Sequence, residues 1–65
     1  MFNKKEFNAM LARAGMTKAE LAEKLGMRTD KLYRRIRAES FLVSEAKQMM
    51  DIFGEEEVIR VFFNA

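Results

Sequence analysis

Sixty-five residues, just under half of them apolar, suffice for one small domain with a marginal core. The chain has no cysteine and no histidine, which excludes disulfide staples, thiolate nucleophiles, Ser-His-Asp catalysis and zinc sites of the Cys/His kind. Net charge is only +2, no apolar run approaches the roughly twenty residues that cross a bilayer, and the opening MFNKKEF lacks a signal peptide's apolar stretch; the expectation is a cytoplasmic protein.

Proline is absent, so the three glycines divide the chain. Phe7, Met10, Leu11 and Ala14 recur at helical spacing behind Asn3, a good N-cap residue. A first helix over 4–14 is predicted, closed by Gly15 in the left-handed conformation. Thr17-Lys18-Ala19-Glu20 is a capping box that opens a second helix, lined by Leu21, Ala22 and Leu25 and stopped by Gly26. So short a helix must be held by packing. A third follows with Arg28 or Thr29 at its cap, Asp30 in its first turn, and Leu32 with Ile36 as an i, i+4 apolar pair. Ser40 to Val43 reads as a loop with Phe41 turned inward. Ala46, Met49, Met50 and Phe53 form the stripe of a fourth helix that Gly54 ends. Leu42 stands where a polar cap is common, so this helix is expected to start at Ser44. In the last segment three glutamates suit a helix N-terminus, whereas Val58-Ile59-Arg60-Val61-Phe62-Phe63 also has strand propensity; helix is the favoured reading.

Charge is segregated. Residues 28–37 carry +4, from Arg28, Lys31, Arg34, Arg35 and Arg37 against Asp30, whereas residues 51–65 carry −3. The third helix, apart from Leu32 and Ile36, presents almost nothing apolar, and such a face is bound for water or a polyanion. Its predecessor supplies a small residue, Ala22, where two helices would cross, and a glycine, Gly26, at the turn. Leu21, Leu25, Met27 and Leu32 would clamp the two together. The pair therefore reads as a helix-turn-helix over 17–37 whose second helix is cationic.

The stretch from Lys18 to Leu32, KAELAEKLGMRTDKL, resembles the phage repressor/Cro family of helix-turn-helix DNA-binding proteins, and the order of helices over the whole chain is similar too. Three departures stand out: Arg28 where the family usually has serine or threonine, Ile36 rather than position 35 as the next apolar clamp, and Leu42 at the fourth cap. The resemblance implies an all-α, four-to-five-helix, lambda-repressor-like domain over 1–65, with helix three inserted in the major groove of double-stranded DNA. The matching outward positions are Arg28, Thr29, Asp30, Tyr33, Arg34 and Arg37, as base contacts. Arginine can grip guanine O6 and N7 as a fork, and Asp30 either accepts from a cytosine amino group or caps its own helix, the cap being favoured. Tyr33 either touches a sugar or a thymine methyl, or covers the core edge. Lys18 at the start of helix two, with Lys31 and Arg35, would hold phosphates, which position without reading sequence.

Val61, Phe62 and Phe63 are more apolar than a small core easily absorbs. Phe62 is expected to close the core with Phe53, and the surplus to form a homodimer patch with the adjoining loop. Dimers of this motif read two half-sites about 34–36 Å apart on a pseudo-palindrome. The expected partners are thus double-stranded DNA and a second copy, in a nucleoid-associated transcription regulator. No enzyme activity, metal, cofactor, small-molecule ligand or membrane is implied. The alternative is a protein-interaction module of the same fold that binds an acidic protein.

Overall fold

The computed structural model describes residues 2–63, which form five α-helices and, among the described residues, no strand. In chain order they are α1 (Lys4–Ala14), α2 (Lys18–Lys24), α3 (Thr29–Ala38), α4 (Val43–Phe53) and α5 (Glu55–Phe62). The all-α expectation holds, and the ambiguous last segment is helical. Its Val58 and Val61 lie three apart on one face and are both fully buried, a period that a strand would not give.

Local chemistry sets the boundaries. Asn3 caps α1 by accepting from the Glu6 amide at 3.0 Å. Thr17 and Glu20 complete the capping box of α2, with Glu20 N–H donating to Thr17 Oγ1 (3.1 Å) and Thr17 N–H donating to Glu20 Oε1 (2.8 Å). α2 then ends in a Schellman arrangement: Gly26 N–H donates to Glu23 O and Met27 N–H to Ala22 O. This requires a left-handed residue, and Gly26 sits at φ +69°. α3 ends with the same two bonds, Glu39 N–H to Ile36 O and Ser40 N–H to Arg35 O. Here, however, the left-handed position at φ +54° is held by Glu39, whose Cβ makes it costly.

α4 begins at Val43, one residue before the expected Ser44. Leucine has no side-chain acceptor, yet Leu42 is rescued from the opposite direction: its N–H donates to Glu45 Oε1 at 2.8 Å. That is the reciprocal half of a capping box working without a polar cap residue.

The helices pack most extensively as α4 on α5, α2 on α3 and α1 on α5, around a core that includes Phe7, Met10, Leu21, Leu32, Met49, Val58 and Val61, all at most 1% exposed. Ala22, 1% exposed, allows α2 its close approach. Two apolar expectations are corrected. Ala14, placed on the first helix's inner stripe, is exposed, because it is the last residue of α1 and lies past the core. Val61, assigned to an association patch, is fully buried and belongs to the core. Phe62 is half-buried, its ring 5.4 Å from both Phe2 and Phe41. Phe2 joins the core through this aromatic cluster, and Asn3 N–H fastens the segment by donating to Val61 O at 2.7 Å. Phe41 does turn inward, stacking on Phe2 at 5.3 Å.

Candidate nucleic-acid interface

α3 buries one edge and offers the rest. Leu32 and Ile36 face the core at 0% and 7% exposure, locking the helix's rotation against α2. On the opposite side Asp30, Arg34 and Arg37 recur at i, i+4, i+7 and are all exposed, so they form an outward ridge. Lys31 flanks this ridge on one side, Tyr33 on the other, both exposed. Arg28, the N-cap, carries the most open of these ion-paired side chains at 89% exposure, and Thr29 beside it is exposed as well.

Tyr33 does not close the core edge completely, being 46% exposed. Its ring lies under Lys18, whose Nζ is 5.9 Å from the ring centroid. This cation–π contact draws the first residue of α2 onto the same side as the α3 ridge. The cationic surface therefore continues from Lys18 across Tyr33 to Arg34. Towards the end of α3, Lys31, Arg34, Arg35, Ala38 and Ser40 line a cleft of about 310 Å³. Towards its start, a shallower hollow is lined by Glu20 and Glu23 together with Met27, Arg28 and Thr29. The basic surface thus has an acidic margin on its α2 side.

The acidic residues near α3 are partly committed. Asp30 Oδ1 accepts from Arg28 Nε at 3.2 Å, and its Oδ2 is 3.9 Å from Arg34 Nη2. The Arg28 hydrogen bond, opposed by desolvation, holds the Asp30 carboxyl below its ordinary value, with further help from the charge of Arg28, its own backbone amide and Arg34. Arg35 differs from its neighbours. Its guanidinium turns toward α4, donating from Nε to Glu45 Oε2 at 3.2 Å, with Nη2 at 3.1 Å from the same oxygen. Glu45 is 5% exposed, and its other oxygen serves Leu42. Of the three residues expected at phosphates, Lys18 and Lys31 remain on the outer surface or its edge, while Arg35 is tied into the fold.

The glutamates of the C-terminal segment lie elsewhere. Glu57 accepts from Arg13 Nη2 at 2.6 Å and from Arg60 Nη1 at 3.1 Å, which pins α1 to α5. The hydrogen bond from Arg13 is the main reason its carboxyl is held below the usual range. No ion pair among the described residues joins Glu55, Glu56 or Glu57 to α3. Of the expected association residues, Phe63, just after α5, is 67% exposed; Ile59 on α5 is 40% exposed, and Leu42 and Val43 in the loop and at the start of α4 are 54% and 73% exposed.

Sequence reasoning missed three arrangements: the Arg35–Glu45 pair, the Asp30 bridge and the Lys18–Tyr33 contact. The first had a partial signal, a glutamate three residues after the cap position. The Arg35–Glu45 spacing of ten residues crosses a turn and follows no helical rule. Among the described residues no cluster of three or more potential ligands suits a metal, and no helix is long and apolar enough to cross a membrane. No family model, curated protein or solved structure matches the chain.

Proposed function

We propose that this chain is a sequence-specific, double-stranded-DNA-binding transcription regulator of the repressor/Cro type, with α3 in the major groove. One observation carries the reading: the second helix of a helix-turn-helix has Lys31, Arg34 and Arg37 exposed, and among the described residues no carboxylate of α5 is paired with them, Glu57 being engaged with Arg13 and Arg60. Arg28, Thr29, Tyr33, Arg34 and Arg37 are the base-reading candidates. Lys18 and Lys31 contact phosphates, and Arg35 positions α3 from within.

A homodimer completes the proposal. The longest dimension of the domain is 29 Å, short of the roughly 34–36 Å between successive half-sites, so one copy occupies one half-site. Phe63 and Ile59 supply the apolar contact surface, with Leu42 and Val43 alongside.

Titration of binding to mixed-sequence duplex DNA with salt tests the reading. Phosphate contacts give a steep, log-linear loss of affinity with added salt. A flat response rejects DNA binding and favours the interaction module that takes an acidic protein. Arg34→Ala is expected to weaken binding to a selected site more than to mixed DNA, whereas equal loss on both reassigns Arg34 to a phosphate.

A further inference from the structure

The outward ridge of α3 contains an acid. Asp30 sits on the outward ridge, 65% exposed, where a carboxylate repels phosphates and weakens any grip on DNA. The expected cap is not made, since α3 has no side-chain cap hydrogen bond and Asp30 is only a first-turn acid; both of its oxygens are instead turned to arginines: Oδ1 to Arg28 Nε at 3.2 Å and Oδ2 toward Arg34 Nη2 at 3.9 Å.

We infer that Asp30 is a specificity-determining positioning residue, holding Arg28 and Arg34 as two forks that each read a guanine. The inference rests on the DNA-binding reading above.

The geometry supports it at each step. Arg28 is the N-cap, outside the helical hydrogen-bond pattern, with an extended backbone (φ −74°, ψ 150°). Left alone, so exposed a side chain samples many rotamers and loses that freedom on binding a base. Asp30 engages Arg28 through Nε, the inner donor. The two terminal nitrogens of that guanidinium stay free, and they are the pair that can bind guanine O6 and N7 end-on. Arg34 lies four residues beyond Asp30, close enough for attraction and too far for a short hydrogen bond, so its donors also remain available. The carboxyl is held below its ordinary range, chiefly by the Arg28 hydrogen bond, and so stays ionised at neutral pH.

The spacing fixes what is read. Arg34 lies five helical steps beyond Thr29, a rise of about 7.5 Å, and the extended Arg28 adds up to about 3.5 Å. Base pairs step by about 3.4 Å, so the two guanines fall about two to three base pairs apart.

Selection from random duplex DNA, followed by sequencing, tests this with the wild type, Asp30→Asn, Arg28→Lys and the double variant, each checked for helicity. The wild type is expected to recover two guanines at that spacing. Asp30→Asn lowers discrimination at the guanine read by Arg28 by at least about 5-fold, the low end for a bidentate contact, and binds mixed-sequence DNA as tightly as wild type or more so. In the Arg28→Lys background, Asp30→Asn produces no further change at that base. An unchanged guanine preference in Asp30→Asn overturns the inference, as does an equal effect with and without Arg28. Salt-sensitive binding by the wild type with no guanine pair selected overturns the inference and leaves DNA binding standing. Absence of any salt-sensitive binding removes both.

Discussion

Replacing Glu45 by glutamine isolates the contact that fixes α3 against α4. Glutamine preserves shape, and its carbonyl oxygen still accepts from the Leu42 amide that Glu45 now serves at 2.8 Å. The amide NH2 then replaces the oxygen that faces Arg35, so both the charge and the hydrogen bond that Arg35 donates from Nε at 3.2 Å are lost. Hydrogen bonds to charged groups contribute about 1.5–3 kcal/mol, and stripping one partner from a fully buried pair costs about 3–5 kcal/mol. The Arg35 side chain is 27% exposed, so its guanidinium can swing partly into water, which favours the lower range. We expect a loss of about 2 kcal/mol, which for a domain this small lowers Tm by roughly 8–16 °C in thermal denaturation followed by circular dichroism. Arg35→Met should cost at least as much, because Glu45, with its side chain 7% exposed, is then left as a buried anion. The double variant should be more stable than the sum of the single losses by at least about 1 kcal/mol. Additive losses below about 0.5 kcal/mol each would refute the clamp. The same variant decides what Arg35 does on DNA. A phosphate contact contributes about 0.9 to the slope of log affinity against log salt, so a positioning role predicts that Arg35→Met leaves the slope unchanged.

Glu39→Gly should stabilise the fold by about 0.5–1 kcal/mol, since relief of the left-handed strain at φ +54° exceeds the added flexibility of the unfolded chain; a lower denaturation midpoint would contradict this. Glu20, Asp30 and Glu57 all have carboxyls held below their ordinary values, chiefly by the Thr17 backbone amide, the Arg28 side chain and the Arg13 side chain respectively. Their contribution is present above the unfolded carboxylate range and is lost as pH falls through the folded values, so Tm should hold from neutrality to about pH 5 and decline below it. Arg13→Gln should make that acid decline shallower by removing the main support of Glu57, and an unchanged profile would refute the assignment. Phe63→Asp should convert a dimer to monomer in sedimentation with helicity intact, while Val61→Asp should abolish folding; loss of folding in Phe63→Asp would place that ring in the core.

The elements were legible where a residue type has one strong local use. Asn3, the Thr17–Glu20 box and the left-handed Gly15 and Gly26 each act within four residues of themselves, so sequence spacing already contains their geometry. Leu32 and Ile36 were legible for the same reason, as an i, i+4 pair on an otherwise polar helix. Phe2 was not, because a single aromatic ahead of a helix has no period; its burial depends on Phe41 and Phe62, which are far away in the chain. Val61 was misassigned because its neighbours Phe62 and Phe63 are apolar too. Three consecutive apolar residues on a helix cannot all face inward, and the smallest of them took the core position.

The charge pattern was legible as a sum and misleading residue by residue. A +4 segment followed by a −3 segment could in principle cancel across the fold. Among the described residues no ion pair joins the two segments: Glu57 takes Arg13 from α1 and Arg60 from its own helix, and Asp51, Glu55 and Glu56 make none with α3. The five cations of residues 28–37 then divide according to helical angle. Arg35 flanks the buried Leu32–Ile36 edge and meets Glu45, whereas Arg34 and Arg37 project from the opposite side. Arg28 and Asp30, only two apart, can meet because Arg28 is extended rather than helical. Counting positive charges in the segment treats the five arginine and lysine side chains as equivalent. Their surroundings make one of them a structural tie and leave the others exposed, and it is this division that gives α3 a definite cationic outward face.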